Sequence, residues 1–89
     1  MIREPITIIN KLGLHARAAA KLVSTASAFK SKVLIGKDSR EVDGKSIMAV
    51  MMLAASCGTE IELVIDGADE CQARDALVDL INDYFGEGG

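Results

Sequence analysis

Gly13-Leu14-His15-Ala16-Arg17-Ala18-Ala19-Ala20 is where an extended pattern in this chain gives way to a helical one. Upstream, Ile6-Thr7-Ile8-Ile9-Asn10 is β-branched and roughly alternating, with Pro5 at its entry, and predicts a first strand. Lys11 to Leu14 is the connecting loop. Downstream, Ala19, Leu22, Val23, Ala26 and Phe29 recur at helical spacing, which predicts an amphipathic helix from Ala16 to about Phe29. Strand, glycine turn and helix therefore meet at His15, the single histidine of the chain.

The remaining elements follow outward from that junction. Lys32-Val33-Leu34-Ile35 predicts a second strand, Gly36-Lys37-Asp38 a turn, and Arg40-Glu41-Val42-Asp43 a charged strand suited to a sheet edge. Ser46 is placed to cap a second helix over Ile47 to Ala55, with Gly58 to end it. Glu60 to Asp66 alternates, with Ile61, Leu63 and Ile65 on one face, and predicts a half-buried fourth strand. Asp69, with Gln72 three residues on, resembles a capping box for a last helix running to about Phe85. Its apolar stripe is Ala73, Ala76, Leu77, Leu80, Ile81 and Tyr84, and Gly86 is placed to end it. The order β-α-β-β-α-β-α predicts an α+β, two-layer open-faced sandwich with the helices on one side of the sheet.

Eighty-nine residues are expected to form one domain, residues 1–89, with a thin core. A composition 49% hydrophobic and 26% charged is that of a globular chain, and a formal charge of −3 argues against nucleic acid as the main partner. Met1-Ile2-Arg3-Glu4-Pro5 lacks the long apolar region of a signal peptide, and Ile47 to Ala55 is too short to insert in a membrane. Cys57 and Cys71 lack metal-ligand spacing and are expected as buried or half-buried free thiols, which points to the cytoplasm. No metal and no cofactor is expected.

An imidazole at a helix start reaches solvent, and the free amides of the first turn point towards whatever it carries. Arg17 adds a fixed positive charge with planar donors suited to phosphate. Phosphoryl transfer asks for an exposed neutral imidazole and charge stabilisation of the phosphate, and this stretch offers both. Nucleophilic hydrolysis lacks a serine or cysteine with a signature pairing it to His15. Taken alone, one histidine beside one arginine also fits an ordinary surface helix start.

Gly13-Leu14-His15-Ala16-Arg17-Ala18-Ala19-Ala20 resembles the phosphorylation motif of the HPr family, the histidine-containing phosphocarriers of the bacterial phosphotransferase system. Lys45-Ser46-Ile47-Met48-Ala49-Val50-Met51 resembles that family's regulatory serine segment. The resemblance spans nearly the whole chain and implies a four-stranded antiparallel sheet covered on one face by three helices. It implies a protein substrate, not an autonomous enzyme: His15 takes a phosphoryl group on Nδ1 from phospho-enzyme I and passes it to EIIA domains. Arg17 would stabilise the phosphate, with the Ala16 and Arg17 amides as backbone donors, and Ser46 would be phosphorylated by an HPr kinase/phosphorylase. The family's working form is expected to be a monomer. Many members carry proline after the arginine, where this chain has Ala18, a strong helix former that retains the helix start with less rigidity.

Ile47-Met48-Ala49-Val50-Met51-Met52-Leu53-Ala54-Ala55 is apolar almost all round. Val50, Leu53 and Ala54 are expected to be buried, and Ile47, Met48 and Met51 to form an exposed docking patch. Three other readings compete: the nitrogen-related branch of the same family, a regulatory binding module without phosphoryl transfer, and a small RNA-binding domain. The last is disfavoured by acidic charge and few aromatics.

Overall fold

In the computed structural model, which describes residues 1–87, four strands form one sheet in the order β1-β4-β2-β3, antiparallel throughout. The strands are β1 (Ile2–Thr7), β2 (Lys32–Lys37), β3 (Arg40–Asp43) and β4 (Glu60–Asp66). The helices are α1 (Ala16–Ser27), α2 (Ile47–Met52) and α3 (Glu70–Asn82), followed by a single 3₁₀ turn over Tyr84–Gly86. This is the expected two-layer α+β sandwich.

Alternation in β4 decides which side of the sheet is covered. Ile61, Leu63 and Ile65 face the helices with Val33 and Ile35 of β2, and all five are buried. Against them pack Ala18, Ala19, Leu22 and Ala26 of α1, Val50 of α2, and Ala73, Leu77 and Ile81 of α3. The alanines of α1 are small enough to let its backbone lie close to its neighbours, so the helix bearing His15 is fixed by packing. On the open face Val64 is also buried, flanked in register by Arg3 and Leu34. Arg3 pairs there with Glu62 at 3.0 Å and Glu41 at 3.5 Å.

Several boundaries differ from those expected, each for a tertiary reason. The first strand is Ile2–Thr7, not Ile6 to Asn10, because β4 supplies the partners: Ile2 lies opposite Ile65 and Thr7 opposite Glu60. Pro5 falls inside this strand, which the sheet edge tolerates because a ladder on one side alone need not use its missing N–H. The β2–β3 turn is Asp38–Ser39, both with positive φ (51° and 69°), so Gly36 and Lys37 stay in the strand. Helix α1 stops at Ser27, two residues short of Phe29.

Helix α2 ends at Met52 instead of Ala55, and Ala54 (φ 55°) turns the chain where Gly58 was expected to do so. The β2–β3 hairpin caps the exposed carbonyls. Lys37 Nζ donates to Leu53 O (3.3 Å) and Ala54 O (3.4 Å), and Arg40 Nη2 to Met52 O (3.5 Å). That turn leaves Ala54 exposed, against expectation, while Val50 and Leu53 are buried.

Cys57 and Cys71 are exposed free thiols, not buried ones. Cys57 lies in the α2–β4 loop, and Cys71, two residues before Ala73, faces away from the stripe of α3. Asp69 does not cap α3 with its side chain. Its carboxylate instead accepts from the backbone N–H groups of Lys30 and Ser31, both at 2.9 Å, and from the Ser31 hydroxyl. The burial stripe of α3 stops at Ile81, and Gly86 ends the 3₁₀ turn and not the helix. Left-handed backbone at Tyr84 and Phe85 (φ 57° and 53°) puts Phe85 in the core and leaves Tyr84 exposed.

Candidate functional site

Residues 8–14 carry the chain from β1 to α1, and they are tied down before His15 is reached. Ile8 N–H donates to Thr59 O (2.9 Å), and Gly58 N–H donates to Ile8 O (2.7 Å). Leu14 is buried and donates its N–H to Ala55 O at 2.8 Å. Gly13, at φ 67°, passes so close to the α2–β4 connection that a Cβ would sit 2.6 Å from Ala55 O and 2.7 Å from Ser56 Cα. Only glycine meets both the left-handed φ and this approach.

His15 is the N-cap of α1 in extended conformation (φ −73°, ψ 178°), and its side chain makes no capping bond. Its carbonyl accepts the first helical bond, from Ala19 N–H at 2.8 Å. The amides of Ala16, Arg17 and Ala18 precede that ladder, where the positive end of the helix dipole lies. Arg17 is exposed in the first turn, and His15, Ala16, Arg17, Lys11, Leu12 and Glu87 line one open depression.

The imidazole is not free on both sides. Nε2 lies 2.6 Å from Glu87 Oε2. The other oxygen, Oε1, accepts from Asn10 Nδ2 at 3.1 Å, and the same amide donates to Gly13 O at 2.7 Å. Asn10 is buried, and its Oδ1 has no hydrogen-bond partner among the described residues. Lys21 Nζ donates to Phe85 O at 2.6 Å and holds the chain just before Glu87 against α1. Burial pushes the Glu87 carboxyl up, but the bonds from His15 and Asn10 and the nearby charges of His15 and Lys21 outweigh it. Its pKa lies below the ordinary 4.5.

Of the residues singled out in the sequence, the structure brings His15, Ala16 and Arg17 together in one depression. Ser46 stands apart as the N-cap of α2, its Oγ accepting from Ala49 N–H at 3.3 Å. Ile47 (44% exposed), Met48 (70%) and Met51 (40%) do reach the surface, as do Met52 and Leu12, which the sequence reading did not single out. It also missed Glu87 and Asn10. No three of the His, Cys, Asp and Glu side chains gather as a metal site among the described residues, and no described helix is long and apolar enough to cross a membrane.

Comparison with known proteins gives a consistent result. The family model for the phosphorylation site of the phosphotransferase-system HPr component matches residues 2–83. The phosphocarrier protein HPr of Neisseria meningitidis serogroup A is 62% identical over 88 residues, covering 99% of each chain. Among solved structures, HPr-C-His from Thermoanaerobacter tengcongensis superposes with a TM-score of 0.95 at 49% identity, covering 98% of both chains. An HPr dimer from the same organism matches with a TM-score of 0.79 at 51% identity, covering 92% of this chain and 94% of that one.

Proposed function

The chain belongs to the HPr family, the phosphocarriers of the bacterial phosphotransferase system, and from that membership we propose that His15 is the residue that carries the phosphoryl group. One observation supports this most directly. His15 opens α1 with its imidazole turned away from the cap, leaving the Ala16 and Arg17 amides ahead of the helical ladder and Arg17 on the same rim. In this reading these amides and the Arg17 guanidinium stabilise a phosphoryl group on Nδ1. The helix end contributes roughly 0.3–1 kcal/mol to an exposed charge. That is a light hold, suited to a group that must be given up again.

In this reading phospho-enzyme I donates the group, EIIA domains receive it, and sugar uptake is the pathway served. The exposed Ile47, Met48 and Met51 form the docking surface, where flexible methionines fit more than one partner. Ser46 is a regulatory phosphorylation site for an HPr kinase/phosphorylase. The added charge of about −1.5 to −2 acts on docking and not on folding, because it falls at a helix N-terminus. The carrier works in the cytoplasm as one domain over residues 1–89. In this reading the working form is a monomer.

The test is incubation with phosphoenolpyruvate and enzyme I. The protein should gain one acid-labile phosphate and His15→Ala none. Labelling that persists in His15→Ala would sink the reading.

A further inference from the structure

We propose that Glu87, steadied by Asn10, is a positioning residue for this transfer: it holds His15 as the Nε2–H tautomer and keeps the lone pair on Nδ1. The inference rests on the phosphocarrier reading and adds to it a residue outside the helix-start motif.

A carboxylate accepts hydrogen bonds and has none to donate. The nitrogen 2.6 Å from Glu87 Oε2 must therefore be the one bearing hydrogen, and that nitrogen is Nε2. A neutral imidazole carries one N–H and one lone pair, so the lone pair falls on Nδ1. Nδ1 has no hydrogen-bond partner among the described residues, whereas Nε2 is engaged. The two nitrogens are thereby assigned different tasks by one contact.

Several independent groups bring Glu87 to this place. Left-handed backbone at Tyr84 and Phe85 reverses the chain after α3 and buries Phe85. Lys21 of α1 takes the Phe85 carbonyl, and Asn10 takes Glu87 Oε1 while also holding Gly13 O of the loop that delivers His15. Asn10 thus couples the carboxylate to the loop carrying its target.

The chemistry balances without moving a proton. The Nδ1 lone pair attacks phosphorus, and the N–P bond forms as the bond from phosphorus to the donor atom breaks, its electron pair staying on the donor. The ring then holds phosphate on Nδ1 and hydrogen on Nε2, with a positive charge that faces Glu87. When the acceptor's nucleophile attacks phosphorus, the N–P pair returns to Nδ1 and the neutral Nε2–H tautomer is restored. While phosphate is bound, Glu87 offsets the charge on the ring.

The experiment is nitrogen NMR of the full chain with ¹⁵N-labelled histidine, at a pH where the ring is neutral, alongside the phosphorylation rate from phosphoenolpyruvate and enzyme I. Wild type should show Nε2 as the protonated nitrogen and Nδ1 as the unprotonated one. Glu87→Ala should relax that pattern towards the mixture of a free histidine and slow phosphorylation about tenfold, as loss of a hydrogen bond to a charged group predicts. Glu87→Gln, whose amide oxygen still accepts, should keep more of the tautomer and fall between in rate. Ring shifts or a rate unchanged in Glu87→Ala would overturn the role of Glu87, while one phosphate still appearing on His15 would leave the carrier reading intact. Wild type that takes no phosphate on His15 would overturn the carrier reading, and with it any role of Glu87 in transfer.

Discussion

Helices α1 and α2 begin with the same backbone device and use it differently. Both start after a residue in extended conformation, His15 in one and Ser46 in the other. Ser46 turns its hydroxyl back to Ala49 N–H, so the side chain serves the helix it opens. His15 makes no such bond and turns its ring to Glu87, and the first-turn amides of α1 lie ahead of the helical ladder. Helix α1 can forgo a side-chain cap because its twelve residues bury Ala18, Ala19, Leu22 and Ala26, whereas six-residue α2 buries only Val50. A start held by packing can do without a side-chain cap, whereas a start with little burial leans on one. Helix α3 offers a third case, its cap residue Asp69 spent on the backbone of Lys30 and Ser31.

Substitutions at four positions would break or sharpen this contrast. Gly13→Ala should do most damage at the α1 start. Its Cβ would meet backbone at 2.6 Å in a left-handed conformation, which alone costs about 1–2 kcal/mol. The melting temperature should fall and phosphorylation slow together, and wild-type values for both would show that the loop is not fixed as described. Arg17→Ala should slow phosphorylation about ten- to a hundredfold through loss of charge-assisted bonds, with thermal stability kept. A stopped-flow or quench-flow rate matching wild type would remove Arg17 from the site.

At the α2 start, Ser46→Ala should cost about 0.5–2 kcal/mol in denaturant unfolding and leave the rate at His15 alone. Ser46→Asp should do the reverse, preserving the cap and slowing transfer. If both variants act alike, the division between cap and regulator fails.

The smallest effect concerns the α3 start. Hydrogen bonds from the Ser31 hydroxyl and the Lys30 amide hold the Asp69 carboxyl below its ordinary 3.8, against the opposing effect of burial. A depressed acid contributes its stability above the ordinary value and loses it as pH falls through the folded one. Melting curves should therefore show a loss of stability below about pH 4 that Asp69→Asn reduces. An unchanged acid limb in that variant would contradict the assignment.

The order of elements was legible because apolar periodicity is a local property: Ile61, Leu63 and Ile65 at every second residue, and Leu22 and Ala26 four apart, report their faces without tertiary help. Boundaries were less so. Pro5 reads as a strand entry until β4 is known to pair across it, and nothing in Ala54 announces a positive φ that the capping of α2 by Lys37 accompanies. Asp69 reads as a capping-box residue because its other partners, Lys30 and Ser31, lie on a distant stretch.

The site divides in the same way. His15, Arg17 and Ser46 are adjacent to the helix starts that give them meaning, so the sequence displayed them. Glu87 lies 72 residues from His15, and its arrival depends on two non-glycine left-handed residues, Tyr84 and Phe85. The available signal was Phe85 itself, an aromatic just before Gly86 whose burial draws the tail back over α1.

The central claim is that the ring at the start of α1 carries the phosphoryl group on Nδ1. Phosphorus NMR of the protein after reaction with phosphoenolpyruvate and enzyme I tests it most directly. One resonance of an Nδ1-phosphorylated imidazole, lost on acidification and absent from His15→Ala, is the predicted result. No phosphoimidazole signal, or one that survives in His15→Ala, would contradict it.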